Sequence, residues 1–180
     1  MRWTDLFADL EAQLAESDRQ ELMGQVADRT RRERAAVSWA DRAATRIGLP
    51  VGLTTAIGPL TGVLQDLGSD WLLIEEDQRG SAVVPFGAVL SITGLGTRSE
   101  VGGHLGRRFG VGVALRAVAR DRCAVAVHDN GGNVFTGTID GVGSDHLQIA
   151  EHPADSIRRA RALTGHRTVP FRAIAILRRC

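Results

Sequence analysis

The chain of 180 residues contains no lysine and no tyrosine, so all 22 of its basic residues are arginine. The absence of lysine excludes a phosphate-binding G-x-x-x-x-G-K-[ST] loop, which depends on the lysine ammonium group. It also excludes Schiff-base and pyridoxal chemistry, because both need a lysine amine. The basic side chains are therefore guanidinium groups throughout, and these suit bidentate recognition of phosphate and carboxylate.

Further absences narrow the class of protein. No run approaches the ~18 to 20 apolar residues that cross a bilayer, and the first residues lack the apolar segment of a secretory signal. The two cysteines, Cys123 and Cys180, lack C-x-x-C spacing, so the sequence predicts no disulfide scaffold. We expect a cytoplasmic protein.

Recognisable catalytic and metal-binding patterns are also missing. The five histidines make no H-x-H, H-x-x-x-H or H-E-x-x-H spacing, which are the spacings that place two metal ligands together. No G-x-S-x-G nucleophile elbow is present. Residues 144–146 read Ser-Asp-His, but adjacent residues on a turn do not converge as a catalytic triad. We therefore expect no enzyme activity, no cofactor and no metal.

An internal repeat organises most of the chain. Residues 61–76 align with residues 136–151 at an offset of 75, and eight of the 16 positions are identical. Residues 84–86 and 169–171 both read Val-Pro-Phe. Because these blocks follow in the same order, the chain is interpreted as a tandem duplication.

Each copy predicts a helix followed by five short strands. The alternation of apolar residues and the Asp-Asn-Gly-Gly turn at 129–132 are typical of antiparallel hairpins. Strands at this spacing predict a small barrel. The predicted fold is mainly β with helices (α+β): an N-terminal helical arm over 1–48, a first five-stranded barrel over 49–96, a linker and helix over 97–122, and a second barrel over 123–180.

These elements resemble the Sm-like barrel of Sm, LSm and Hfq proteins. The resemblance covers residues 42–92 and 116–177 and is carried by Gly-x-Ile-x-x-Val-Gly-x-Asp-x-Leu-x-Ile at 137–149 and by Val-Pro-Phe at 169–171. The whole chain is also similar to two-barrel proteins of high-GC Gram-positive bacteria that are sometimes labelled transcriptional regulators. The resemblance implies that uridine-rich RNA contacts residues 68–71 and 143–146, with Trp71 and His146 at the base-reading position. The family also binds RNA with an Arg-Gly pair in the loop between strands four and five. In both copies of this chain, Pro-Phe replaces that pair.

The arginines are segregated along the chain. Residues 97–124 contain six arginines and two acidic residues, and residues 152–180 contain seven arginines and one acidic residue. Residues 50–96 contain one arginine and five acidic residues. Residues 125–151 contain four acidic residues and no arginine. Such basic segments suit contact with phosphates or with an acidic surface of another copy.

The leading hypothesis is a non-enzymatic protein that binds RNA through arginine-rich surfaces. The candidate nucleic-acid-binding residues combine the two basic segments with the base-reading positions: Trp71, Arg107, Arg108, Arg116, Arg120, His146, Arg158, Arg159, Arg161 and Arg172.

Two other classes stay open. The first is a protein-interaction or scaffold module that docks through its helical arm or its barrel edges. The second is a DNA-binding regulator, for which only residues 17–47 provide a candidate helix-turn-helix. We expect a homo-oligomer without membrane contact.

Overall fold

Buried apolar residues alternate with less buried ones along the strands of this chain, as Val125 and Val127 do between the half-buried Ala124, Ala126 and His128. The computed structural model describes residues 16, 22, 23, 25, 28–32, 35–99, 108–154 and 163–180. The strands are β1 (Pro50–Thr55), β2 (Gly58–Leu67), β3 (Trp71–Glu76), β4 (Gly80–Pro85), β5 (Ser91–Thr93), β6 (Ala124–Asp129), β7 (Val134–Val142), β8 (His146–Glu151), β9 (Gly165–Pro170) and β10 (Ile174–Arg179). The longer helices of the β-rich part are α1 (Trp39–Ala44) and α2 (Val111–Arg120). Five strands per repeat were predicted, and this number is found.

The prediction of two separate five-stranded barrels is wrong. All ten strands form one antiparallel open sheet in the order β5-β1-β2-β3-β4-β10-β6-β7-β8-β9. The two halves join where β4 pairs with β10, through Leu177 opposite Val83 and Arg178 opposite Ala82. The last strand of the second repeat therefore bonds to the first repeat as well as to its own.

Strand β10 supplies side chains to both hydrophobic clusters, and this explains the joint. Ala175 and Ile176 pack with the cluster of the first half, whereas Ile174 and Leu177 pack with the cluster of the second half. The pairing with β6 shifts register between Ile174 and Ile176. A bulge of this kind re-aims the side chains that follow it, so one short strand contributes to two cores.

The helical predictions are met in part. Residues 1–38 form one compact unit and 39–180 another. Most of the predicted arm lies outside the described residues, although those described between 28 and 32 are helical. Within residues 17–47, the candidate helix-turn-helix, Val37 and Ser38 are not helical and directly precede helix α1. The helix that was predicted within residues 97–122 is helix α2, Val111–Arg120.

The repeated Thr-Gly pair has a steric cause. A Cβ at Gly62 would lie 2.2 Å from the carbonyl oxygen of Glu75, and one at Gly137 would lie 2.0 Å from that of Ala150. Strands β2 and β7 thus approach their neighbours so closely that no side chain fits. The identity of this residue in both repeats follows from the same strand crossing.

A buried ion pair connects the two halves next to the β4–β10 joint. Nε of Arg178 lies 2.7 Å from Oε1 of Glu76, and its Nη2 donates to Oε2 at 3.3 Å. The two side chains are only 12% and 9% exposed. A third bond runs from Nη1 of Arg178 to Nε2 of His128 at 3.2 Å, so the imidazole accepts from the guanidinium.

We expect the protein to lose stability as the pH falls below 6.5, through His128. Burial, followed by the charges of Arg178 and Arg79, holds the pKa of this imidazole below its ordinary value of 6.5. The unfolded state therefore binds the proton more readily, so the contribution is complete above pH 6.5 and is lost as the pH falls through the lower folded-state pKa. Thermal unfolding of wild type and His128→Gln from about pH 7.5 to about pH 5 measures this. Parallel pH profiles for the two proteins would contradict it.

Candidate functional site

Each half of the sheet has one loop between its second and third strands, and the two loops are equivalent in the repeat. Loop one comprises residues 68–71 and loop two comprises residues 143–146. In each, the amide of the glycine donates to the carbonyl three residues later: Gly68 to Trp71 at 2.9 Å and Gly143 to His146 at 2.8 Å. A Cβ on Gly68 would lie 1.9 Å from the indole nitrogen, and one on Gly143 would lie 2.5 Å from the imidazole ring. Glycine is therefore required by the ring that folds back over it.

Each loop is tied to the Pro-Phe turn that follows the fourth strand of its half. The amide of Phe86 donates to the carbonyl of Asp70, and the amide of Phe171 donates to the carbonyl of Asp145, both at 2.7 Å. The turns themselves, Phe86–Ala88 and Phe171–Ala173, are single 3-10 turns. The repeated Gly-Ser-Asp and Pro-Phe motifs thus build one structural unit in each half.

Loop one holds the start of helix α2. The amide of Ser69 and the indole N–H of Trp71 both donate to the carbonyl of Phe109, at 3.1 and 2.9 Å. Oδ1 of Asp70 accepts from the amide of Val111 at 2.6 Å. Because Gly110 at the N-cap position has no side chain to cap the helix, the carboxylate of Asp70 performs that role from another part of the chain. Trp71 is 8% exposed and serves this contact.

Loop two, in which histidine replaces the tryptophan, is more exposed to solvent. The side chain of Asp145 is 85% exposed, and its Oδ1 accepts from Nδ1 of His146 at 2.8 Å. This hydrogen bond holds the pKa of the Asp145 carboxyl below its ordinary value. A cavity of about 480 Å³ adjoins the loop and is lined by Ser144, Asp145, Pro170, Phe171 and Arg172. Loop two is therefore the more accessible member of the pair.

A second concave surface, the α2 groove, lies between α2 and β7. It has a volume of about 580 Å³ and is lined by Val113, Arg116, Ala119, Arg120, Asp140, Gly141 and Val142. Helix α2 buries Val111 and Leu115 in the core, so the exposed arginines at positions 116 and 120, four residues apart, share a face of the helix. Nη2 of Arg116 donates to the carbonyl of Gly143 at 2.9 Å, which places the groove beside loop two.

The structure describes six of the ten candidate residues and places them at four different positions. Arg116 and Arg120 line the α2 groove, and His146 and Arg172 lie at loop two. Arg108 is exposed just before the helix, and Trp71 is buried against its start. The other four, Arg107, Arg158, Arg159 and Arg161, lie outside the described residues.

Two members of the site, Asp145 and Phe171, are absent from the ten candidate residues. Asp145 was included only within the range 143–146 that the resemblance implies, and Phe171 only as part of the Pro-Phe pair that replaces a family motif. The repeat contained the signal, because the Gly-Ser-Asp and Pro-Phe motifs recur at offsets of 75 and 85. Two motifs that recur together in both copies predict a contact between them, and the amide of Phe171 makes it.

Within the described part of the chain, no three His, Cys, Asp or Glu side chains are grouped so that they would hold a metal ion. No helix of that part is long and apolar enough to span a membrane. Comparison of the chain with protein-family models, curated proteins and solved structures finds no match. The similarity to Sm-like proteins therefore stays a prediction, and a functional proposal rests on the geometry of loop two and the α2 groove.

Proposed function

We propose that this protein is a non-enzymatic binding protein that binds single-stranded RNA along the α2 groove and loop two. One observation carries the proposal. Two of the candidate arginines, Arg116 and Arg120, line one groove, and Arg116 bonds to the same loop whose cavity includes a third, Arg172. Guanidinium groups bind phosphate through paired N–H donors, and their planes also stack on bases.

The surroundings of the groove suit a nucleic-acid strand. Val113, 45% exposed, provides an apolar wall beside the two arginines. The half-buried ring of Phe171 lines the adjoining cavity, and aromatic rings stack on unpaired bases. A chain of alternating phosphates and bases therefore meets both kinds of partner along one path.

The RNA-binding proposal predicts a loss of affinity in the double variant Arg116→Gln/Arg120→Gln. Removing two phosphate contacts should weaken binding at least about tenfold and lower the slope of log affinity against log salt by about 1.4, because each contact to a single strand contributes about 0.7. Fluorescence anisotropy of a labelled single-stranded RNA at about 50 and 200 mM salt measures both quantities.

The matched control is Arg98→Gln, which removes an exposed charge outside the groove. It should change affinity and salt slope less than the double variant does. Wild-type binding without a salt slope, or an equal loss in the control, would refute the proposal.

The alternative of a protein-interaction module is favoured by the two outer edges of the sheet. Strands β5 and β9 each pair on one side only within the described part of the chain, and Leu90 beside β5 is 68% exposed. Unpaired edges are templates for strands of other chains. RNA-independent assembly, measured by light scattering during the same titrations, would support this alternative.

A further inference from the structure

Loop one is bound to another segment of the chain, the backbone at Phe109 and Val111, and so shows which groups this type of loop can bind. It offers backbone and indole N–H donors to one carbonyl oxygen, that of Phe109, and a carboxylate oxygen to one N–H, that of Val111. The segment bound by loop one therefore places a hydrogen-bond acceptor and a hydrogen-bond donor close together. Loop two repeats the bonds made by the amides of the glycine and of the phenylalanine and has the same carboxylate, so its binding chemistry is complementary to a similar pair.

The carboxylate of loop two is fixed as an acceptor. The bond from Nδ1 of His146 to Oδ1 of Asp145, 2.8 Å long, uses one of about four acceptor sites of the carboxylate and leaves both oxygens able to accept from a ligand on a side chain that is 85% exposed. The same bond favours the ionised carboxylate and holds its pKa low, and an ionised carboxylate accepts hydrogen bonds without donating any. Among the described residues, the amide of Ser144 donates to no carbonyl, whereas its counterpart Ser69 does.

The adjoining cavity suits a flat ring. Its volume of about 480 Å³ and its lining by Pro170, Phe171 and Arg172 combine an apolar wall with one cation, and concave sites of a few hundred Å³ accept small ligands. Phe171 is held from behind by α2, because its ring lies 3.3 Å from the position of a Cβ on Gly112. A base in this cavity can stack on the ring while its edge reaches the loop.

We propose that loop two recognises a guanine base of the bound RNA, with the carboxylate of Asp145 accepting from N1–H and the 2-amino group and the amide of Ser144 donating to O6. Guanine alone among the four bases has two adjacent donors beside a carbonyl on its Watson–Crick edge. Uracil places a second carbonyl, and adenine and cytosine a ring nitrogen acceptor, where the carboxylate would need a donor. This assignment rests on the proposed RNA binding and adds the base preference of the second half.

The test compares oligoadenylate RNAs of one length that differ only at the central base, by fluorescence anisotropy with the full chain. A central guanine should bind about tenfold more tightly than adenine, as a good bidentate base contact provides. Inosine, which lacks the 2-amino group, should lie between them. Asp145→Asn should reduce the preference for guanine over adenine to less than about twofold. The control, Asp77→Asn, removes another exposed carboxylate and should leave the preference intact.

The outcomes separate the two proposals. Salt-dependent binding of all the RNAs with equal affinity, or a guanine preference that survives Asp145→Asn, would overturn the guanine assignment and leave the proposed function in place. Failure of every RNA to bind would overturn both. A guanine preference that is lost only in Asp145→Asn supports the assignment.

Discussion

Replacing Arg178 by alanine is expected to lower the free energy of unfolding by about 3–5 kcal/mol. The change leaves the carboxylate of Glu76, 9% exposed, without the partner that balances its burial. Direct strand pairing at this joint is limited to two residue pairs, so the two halves of the sheet should also become less cooperative. Urea unfolding followed by circular dichroism and by tryptophan fluorescence measures both effects.

The neighbouring Arg179 provides the matched control for this prediction. It lies on the same strand but is exposed, so Arg179→Ala should change stability by less than about 0.5 kcal/mol. A double replacement, Glu76→Leu with Arg178→Leu, should recover most of the loss, because apolar residues of similar volume often replace a buried ion pair without cost. A loss below about 1 kcal/mol in Arg178→Ala would show that the ion pair is hydrated and contradict its burial.

The sequence predicted the number and position of the strands better than their partners. The repeat located five strands in each half, because alternation and turn residues are local signals. It did not locate the joint between β4 and β10, since Glu76 and Arg178 are 102 residues apart. The apolar residues of β10 are compatible with either a closed barrel or a shared strand. Only the shift in register between Ile174 and Ile176 determines that this strand packs on both clusters.

The same limit applies to the candidate site. Arg116 and Arg120 could be placed on one helix face from their spacing alone, and the structure puts both in the α2 groove. Residues 68–70 and 143–145 are identical in sequence, yet Asp70 caps a helix and Asp145 pairs with its own neighbour. The difference arises because a distant segment, the start of α2, contacts loop one. The periodicity of the sequence does not predict such a distant contact.

Replacing Trp71 by alanine is expected to cost about 3–5 kcal/mol, as large-to-small changes of buried aromatic residues do. Its ring packs in the cluster of the second half although its strand belongs to the first, and its indole N–H holds the carbonyl of Phe109 before α2. The variant should therefore unfold at lower urea concentration and lose part of the helical signal of α2. Trp71→Phe retains most of the packing and should cost about 1–3 kcal/mol less than the alanine variant.

The control for Trp71→Ala is the same replacement at the equivalent position of the second half. His146 occupies the same place in loop two, but its side chain is 34% exposed and bonds to the exposed Asp145. His146→Ala should therefore cost at least about 1 kcal/mol less than Trp71→Ala, because this side chain is smaller and more exposed than the indole. Equal losses from Trp71→Ala and His146→Ala in urea unfolding would contradict the distinction between a loop that holds a helix and a loop that is available for a ligand. A large loss from Trp71→Ala alone would place the structural role in loop one, so that loop two can change its sequence for binding without unfolding the sheet.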